Sequence, residues 1–310
     1  MGASHRGARH PKKSGRVLCQ AVAVKYAFIQ DNLESHSVTA LCRCLAVSRS
    51  GYYEWTTRQP SARQQADAAL LELITQVHEQ HRGAYGAVKT WRCLQQRGVA
   101  AGKHRVARLR AAAGIEAKRK KRFRVIVEHH KSAQAAPDLL NRVFESPGPD
   151  QVWVGDMTFI RTRQGWLHLA MLMDVYSRRV VGWAMGDKAN GPLHEAALVM
   201  ALEQRRPKPG LIHHTDRGMM YRTSAYRQLM QDAQIRPSMS GRKSAYDNAM
   251  AESFFSNLKN ELVHHSDFMT RDEGKMEVFD YIELFYNRHR IHQSLDYLTP
   301  VQFEARNSGK

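Results

Sequence analysis

Cysteine is scarce: the 310-residue chain has four, at Cys19, Cys42, Cys44 and Cys93. No two form a CxxC pair, and no histidine pair follows at finger spacing, which excludes a zinc finger and a disulfide scaffold. The expectation is reduced, mostly buried thiols in a cytosolic protein. Long apolar runs are also missing. The best, LHLAMLM, is interrupted by His168 and ended by Asp174, far short of a membrane span. The start, MGASHRGARHPKKSGR, is basic and has no apolar core, so no secretory signal is expected. Negative charge is short too, with 29 Asp and Glu against 47 Lys and Arg, a formal net charge of +18. An excess that large and that dispersed points to a polyanionic partner, above all nucleic acid. Hydrophobic residues make up 43% of the chain, enough for a folded interior. Histidine doublets at 129–130, 213–214 and 264–265 lack cysteine partners, so zinc is the lesser reading for them.

Along the chain the pattern changes character. Residues 1–16 are basic and small and read as a disordered start. Residues 17–60 read as two helices with a tight connection. In SVTALCRCLAVSRSGYYEW, the apolar stripe Val38, Leu41, Leu45 and Val47 precedes a second helix opening at Ser48, with Arg49 on its first turn. This suits a helix-turn-helix and equally an ordinary helical hairpin. A second helical unit spans 61–115. Its third helix carries Lys103, Arg105, Arg108 and Arg110 as an outer basic face suited to phosphate, a pattern that a plain three-helix bundle also allows. A basic linker over 116–148 follows, in which Lys118, Arg119, Lys120, Lys121 and Arg122 form one run suited to crossing DNA.

From Gln151 the apolar period becomes two, predicting strands in QVWVGDMTFI, in WLHLAMLMDV, where Leu167, Leu169, Met171 and Met173 share a face, and in RVVGWAM. The order β-β-β-α-β-α-β-α over 149–265 gives an α/β class: a mixed five-stranded sheet with flanking helices. The stretch YDNAMAESFFSNLKNEL reads as an amphipathic helix whose Ala251, Phe254, Phe255, Leu258 and Leu262 share one face. Asn248, Glu252 and Lys259 lie in one polar row at its edge. Thr270 and Glu273 make a capping box for a further helix reaching about Arg290, and Thr299-Pro300 starts a last short one, within a helical extension over 266–310.

Two aspartates stand in poor places for unpaired charge. Asp156 sits within an apolar strand, amid Val152, Val154 and Ile160, and Asp216 ends LIHHTD, where a strand runs out. Asp174 and Asp187 read as ordinary turn or cap residues. Convergence of Asp156, Asp216 and Glu252 on a shared hard cation explains all three placements. Lys259, two turns beyond Glu252, suits a DNA phosphate.

The chain resembles a DDE transposase with a retroviral-integrase-type core, in particular the second-reading-frame (OrfB) protein of the third insertion-sequence family. The residues that carry the likeness are WVGDMTFI, GWLHLAMLMDVYSRRVVGWAM, LIHHTDRGMMY, SMSGRKSAYDNAMAESFFSNLKNEL, YNRHRIHQSLDYLTPVQFE and, upstream, VSRSGYYEW and GAYGAVKTWRCLQQRG. The resemblance implies a ribonuclease-H-like fold preceded by all-α helix-turn-helix units. It makes Asp156, Asp216 and Glu252 the catalytic, metal-holding triad, with residues 217–251 between the last two. It implies two Mg²⁺ ions per site, replaceable by Mn²⁺, with Lys259 touching the element's end. Asn248, Arg242 and Lys243 are expected beside it. Two departures lie there: Met219-Met220, where a small polar residue and Gln are usual, and Gly241 before Arg242-Lys243. The implied activity is metal-dependent strand cleavage and strand transfer, by a homo-oligomer on terminal-repeat and target DNA. The first-frame protein is a further implied partner, the compartment is the cytoplasm, at the nucleoid, and residues 1–20 read as a shifted start. One rival is a DNA-binding regulator with a catalytically silent integrase-like domain, which leaves the three carboxylates unexplained. Another is a nuclease of RNA–DNA hybrids, which has no need of two upstream helical units.

Overall fold

The computed structural model of the chain describes residues 20–118, 136–140, 146–240 and 249–307. The chain divides into two compact units, Met1–Ala69 and Leu70–Lys310. Of the predicted positions, the basic start, Cys19, Arg119–Arg122, the histidines at 129–130, Gly241–Lys243 and Asn248 lie outside the described residues.

Among its described residues the first unit shows, ahead of the helix that crosses the boundary, three helices where the pattern predicts two: α1 (Val22–Asp31), α2 (Val38–Cys44) and α3 (Arg49–Thr57). Helix α1 has no apolar stripe to announce it, since Val22 and Val24 are exposed and only Tyr26 and Ile29 are buried. Ser37 and Ser48 cap α2 and α3, their hydroxyls accepting from the amides of Ala40 and Gly51 at 3.3 and 3.0 Å. The α2–α3 pair is therefore two helices with a tight connection, the second opening at Ser48 as expected. Tyr26, Ile29, Leu41, Leu45 and Tyr52 form its core.

The second unit includes a helical part: α4 (Ala62–Gln80, within which the unit boundary falls), α5 (Ala87–Gln96) and α6 (Lys103–Ala112). Leu70, Ile74, Val77, Leu94, Val106 and Leu109 pack together. Arg110, expected on an outer basic face, is instead buried. Its guanidinium donates to Thr90 Oγ1 (3.0 Å) and to the Tyr85 carbonyl (2.9 Å), so it ties helices together and is lost to any phosphate. The Tyr85 hydroxyl donates to the His289 carbonyl and accepts from the Ile291 amide, joining this part to the chain's C-terminal region.

The sheet contains β1 (Val152–Thr162), β2 (Gly165–Asp174), β3 (Val180–Gly186), β4 (Ile212–Thr215) and β5 (Arg236–Met239), in the order β3-β2-β1-β4-β5. Strands β1 to β3 are antiparallel neighbours, while β1–β4 and β4–β5 are parallel. This is the topology of the ribonuclease-H-like fold. Helix α7 (Gly191–Arg205) and α8 (Ser224–Asp232) cover one face, over Trp153, Ala170, Leu172 and Val181. Gly182 permits this packing, because a Cβ there would strike the Ala197 carbonyl and the Ala201 amide. Helix α9 (Ala249–Glu261) and α10 (Arg271–Phe279) cover the other face. There Val152, Val154, Ile160, Leu167, Leu169, Met171 and Met173 meet Phe254, Phe255 and Leu258. The two faces match the alternation along β1 and β2.

Thr270 Oγ1 accepts from the Glu273 amide (3.0 Å), and Glu273 reaches back to the Met269 amide (2.7 Å). The predicted single helix to Arg290 is α10 followed by a π-helical stretch, Asp280–Tyr286, and a turn. Arg290 and Glu261 form a buried ion pair at 2.7 Å, which the Tyr281 hydroxyl joins at 2.8 Å. Thr299 starts α11 (Pro300–Asn307), its hydroxyl accepting from Gln302. Cys42 and Cys93 are buried as expected, whereas Cys44 is exposed. No helix among the described residues is long and apolar enough to cross a membrane.

Candidate active site

Asp156 lies in β1, and Asp216 directly follows the neighbouring parallel strand β4. Val154 pairs with His214, the last β1–β4 pair in register. Asp156 and Asp216 each lie two residues further on, so the same step brings both carboxylates to the point where the strands part. Neighbouring strands run about 4.8 Å apart, and residues two apart share a face. Gly155 allows this junction, because a Cβ there would meet the His213 ring.

Each aspartate is anchored locally. Asp156 Oδ1 accepts from the Met157 amide at 2.7 Å, and Asp216 Oδ1 from the Gly218 amide at 2.8 Å. Glu252 lies in the first turn of α9. The helix buries Met250, Ala251, Phe254, Phe255 and Leu258. Glu252 itself is exposed, not wedged at the edge of the apolar face.

The electrostatics tie the three together. Burial, then the fields of Asp216 and Glu252, push the half-buried Asp156 carboxyl up to about 7; the Met157 amide and Lys259 pull the other way. Partial burial also raises Glu252. Half-buried Lys259 is lowered by desolvation and partly restored by Asp156, and its Nζ lies 5.2 Å from the centre of the Phe159 ring. Among the described residues, no three His, Cys, Asp or Glu side chains are drawn together closely enough to hold a metal ion as they stand. The three carboxylates share one field without forming a closed ligand cluster. The donor set fits a hard divalent cation: all oxygen, and mutually repelling until a positive charge is placed among them.

Several neighbours are not legible in the sequence. Tyr221 is buried; burial, then Asp156, raise its hydroxyl well above its ordinary pKa, with Asp216 contributing, so it stays a neutral phenol beside both aspartates. His194 stacks edge-on to Tyr221 with ring centres 4.8 Å apart. His213 is fully buried, pushed down to about 4, and hydrogen-bonds Tyr226 through Nε2 at 2.7 Å. His214 Nδ1 bonds Ser238 at 2.8 Å, so this doublet packs into the sheet interior. Asp174 is the turn residue expected: its carboxylate accepts from the Ser177 amide and hydroxyl.

Of the expected DNA contacts, Arg49 is exposed at the start of α3, Arg105 half-buried and Arg108 exposed on α6, and Lys118 exposed just beyond α6. Among the described ones, Lys259 stands in the electrostatic neighbourhood of Asp156.

Comparison with known proteins bears on this arrangement. Residues 146–245 and 252–307 match two integrase core domain families, and residues 64–123 an HTH-like domain. The chain is 41% identical over 266 residues to an uncharacterised 31 kDa protein of insertion element IS600 from Shigella sonnei, covering 86% of this chain and 98% of that one. It is 40% identical to the transposase of insertion sequence IS904 from Lactococcus lactis, over 81% of this chain and 99% of that one. It is 36% identical to transposase InsF of IS3 from Escherichia coli K12, over 92% and 99%.

Proposed function

The chain belongs to the IS3 family of insertion-sequence transposases, DDE-type polynucleotidyl transferases with an integrase-type core, and from that premise we propose that Asp156, Asp216 and Glu252 are its catalytic carboxylates. The observation that carries this reading is the matched placement of Asp156 and Asp216, each two residues beyond the last β1–β4 pair, inside the field of Glu252.

Cores of this type work with divalent metal. We assign the ligands to these three side chains and the ions to a Mg²⁺ pair, with Mn²⁺ able to substitute. When bound, such ions neutralise a phosphodiester and lower the pKa of coordinated water. The chain's own residues do the rest. Asp156, with its carboxyl pushed up to about 7, is about half-protonated at neutral pH in the metal-free protein and would have to lose that proton to hold a cation. Lys259, on the same helix as Glu252, faces the phosphate and fixes the strand. In cleavage, a water oxygen attacks phosphorus and the bond to the 3′ oxygen breaks, leaving a 3′-hydroxyl and a 5′-phosphate. In strand transfer, that hydroxyl attacks a second phosphodiester and displaces its 3′ oxygen. No enzyme–DNA bond is needed in either step.

The helical units over 17–60 and 61–115, with the linker over 116–148, serve as DNA-binding arms in this reading. Arg49, Arg105, Arg108 and the run Lys118–Arg122 meet phosphates, while Arg242, Lys243 and Asn248 attend the element's end. Two ends must be held together, so the working form is a homo-oligomer on DNA at the nucleoid, with the first-frame protein as a further partner. The test is incubation of the full chain with a duplex of the element's terminal repeat. Nicks that leave 3′-hydroxyls in Mg²⁺ or Mn²⁺ and vanish in EDTA support the reading; tight binding with intact strands in both conditions would favour the silent regulator.

A further inference from the structure

Large aromatic side chains in a sheet normally lie under a helix. Two in this sheet do not. Phe159 and Trp166 remain 52% and 50% exposed, their ring centres 5.1 Å apart and nearly perpendicular. They sit on the outer part of the β1–β2 hairpin. Trp166 is the register partner of Arg161, and Phe159 that of His168. Phe159 and Arg161 are two residues apart on β1, so all four side chains share one face. Arg161 is exposed as well.

This face is fixed in place. Arg271 Nε donates to the Trp166 carbonyl at 3.1 Å, and its own amide donates to Gln164. The Arg163 amide donates to the Phe268 carbonyl at 2.9 Å, and the Arg163 side chain pairs with Asp267. The hairpin that carries the two rings is thereby clamped to the segment joining α9 and α10. Phe159 is three residues from Asp156, about 10 Å along the strand, or roughly three base steps of duplex. The Lys259 ammonium sits over the Phe159 ring.

We propose that this open hairpin face, Phe159 and Trp166 beside Lys259 and Arg161, is a stacking site for an unpaired nucleobase of the DNA strand held at the carboxylates. Interleaved aromatic and basic side chains hold single-stranded nucleic acid in this way: the rings take the base and the cations take its phosphates. Charge complementarity selects this occupant, because a polyanion is drawn to the lysine and arginine that flank the rings. Lys259 links the rings to the carboxylates, since its ammonium lies over the Phe159 ring and within the field of Asp156. The proposal rests on the catalytic reading above and adds to it: the enzyme takes up a base as well as a phosphate.

The test crosses protein and DNA changes, using the full chain in EDTA so that no strand is cut. The probe is a fluorescein-labelled duplex of the element's terminal repeat with a short single-stranded extension, made abasic at one position at a time, with affinity read by anisotropy. Phe159→Ala with Trp166→Ala should lose roughly 5- to 150-fold on the intact probe. At one abasic position, wild type should fall to the level of the double variant, and the variant should fall no further. Phe159→Tyr with Trp166→Phe should keep wild-type affinity. A loss that is equal on every abasic probe, or no loss, would overturn the proposal, as would aromatic-dependent self-association in gel filtration, which would mark the face as a contact between two copies. A second measurement needs no substitution. With 2-aminopurine replacing single bases, wild-type protein should quench the fluorescence at that same position, and unchanged emission throughout would also overturn the proposal. Failure of the catalytic reading would show separately, as cleavage that survives removal of a carboxylate while these binding results stand.

Discussion

Replacing Asp156 by asparagine should stabilise the metal-free protein. Burial and two neighbouring carboxylates hold the Asp156 carboxyl up at about 7, against 3.8 for the unperturbed group. A raised folded-state pKa means the proton is bound more tightly in the folded chain. The resulting stability is fully present below pH 3.8 and is lost as pH rises through about 7. At 1.36 kcal/mol per unit, the ceiling on that loss is roughly 4 kcal/mol. Asparagine keeps an oxygen to accept from the Met157 amide and never ionises. The variant should therefore match wild type near pH 4, gain roughly 2 kcal/mol by about pH 5.5 and level off above neutrality. Urea unfolding in EDTA, followed by tryptophan fluorescence, reads this difference, with Trp153 fully buried in the sheet as one reporter. Mg²⁺ should then stabilise wild type by mass action and the variant much less. A variant less stable than wild type above pH 7, or a difference that does not change between pH 4 and 8, would refute the reasoning.

Glu261→Gln should cost roughly 3–5 kcal/mol, because it leaves the buried Arg290 guanidinium without its counter-charge; thermal unfolding reads this, and a loss under about 1 kcal/mol would contradict it. Neutralising Lys118–Arg122 should weaken DNA binding without sequence preference and flatten the dependence of log affinity on log salt, by about 0.9 for each phosphate the protein no longer neutralises. An unchanged slope would remove the run from the interface. Lys259→Ala should lower end binding or cleavage while the unfolding midpoint stays near wild type, because the half-buried ammonium packs on only one ring.

Much of this architecture is legible because the same residues answer both to period and to burial. Leu167, Leu169, Met171 and Met173 alternate along β2 and all enter one core. The stripe from Ala251 to Leu258 marks α9, and serine or threonine caps open α3, α10 and α11 where expected. The failures have physical causes. Arg110 looks like its exposed neighbour Arg108 in the sequence, and only the carbonyl and hydroxyl waiting inside set it apart. The π-helical turn at Asp280–Tyr286 leaves no trace in the apolar spacing. Asp156 stands out as a charge in an apolar strand, and its partner Asp216 as a strand-end acid, but their matched register depends on β1 and β4 pairing side by side across some 60 residues of chain. The exposed Phe159 and Trp166 follow the same alternation as core residues, so their exposure depends on where α7 stops covering the sheet.

The central claim is that an aspartate within β1, a second just past the end of β4 and a helix glutamate act as one unit on DNA. It is tested most directly by assaying Asp156→Asn, Asp216→Asn and Glu252→Gln side by side for cleavage and joining of a terminal-repeat duplex in Mg²⁺. Each should bind the duplex as wild type does and neither cut nor join it. Wild-type cutting by any one of them would take that residue out of the site and contradict the claim.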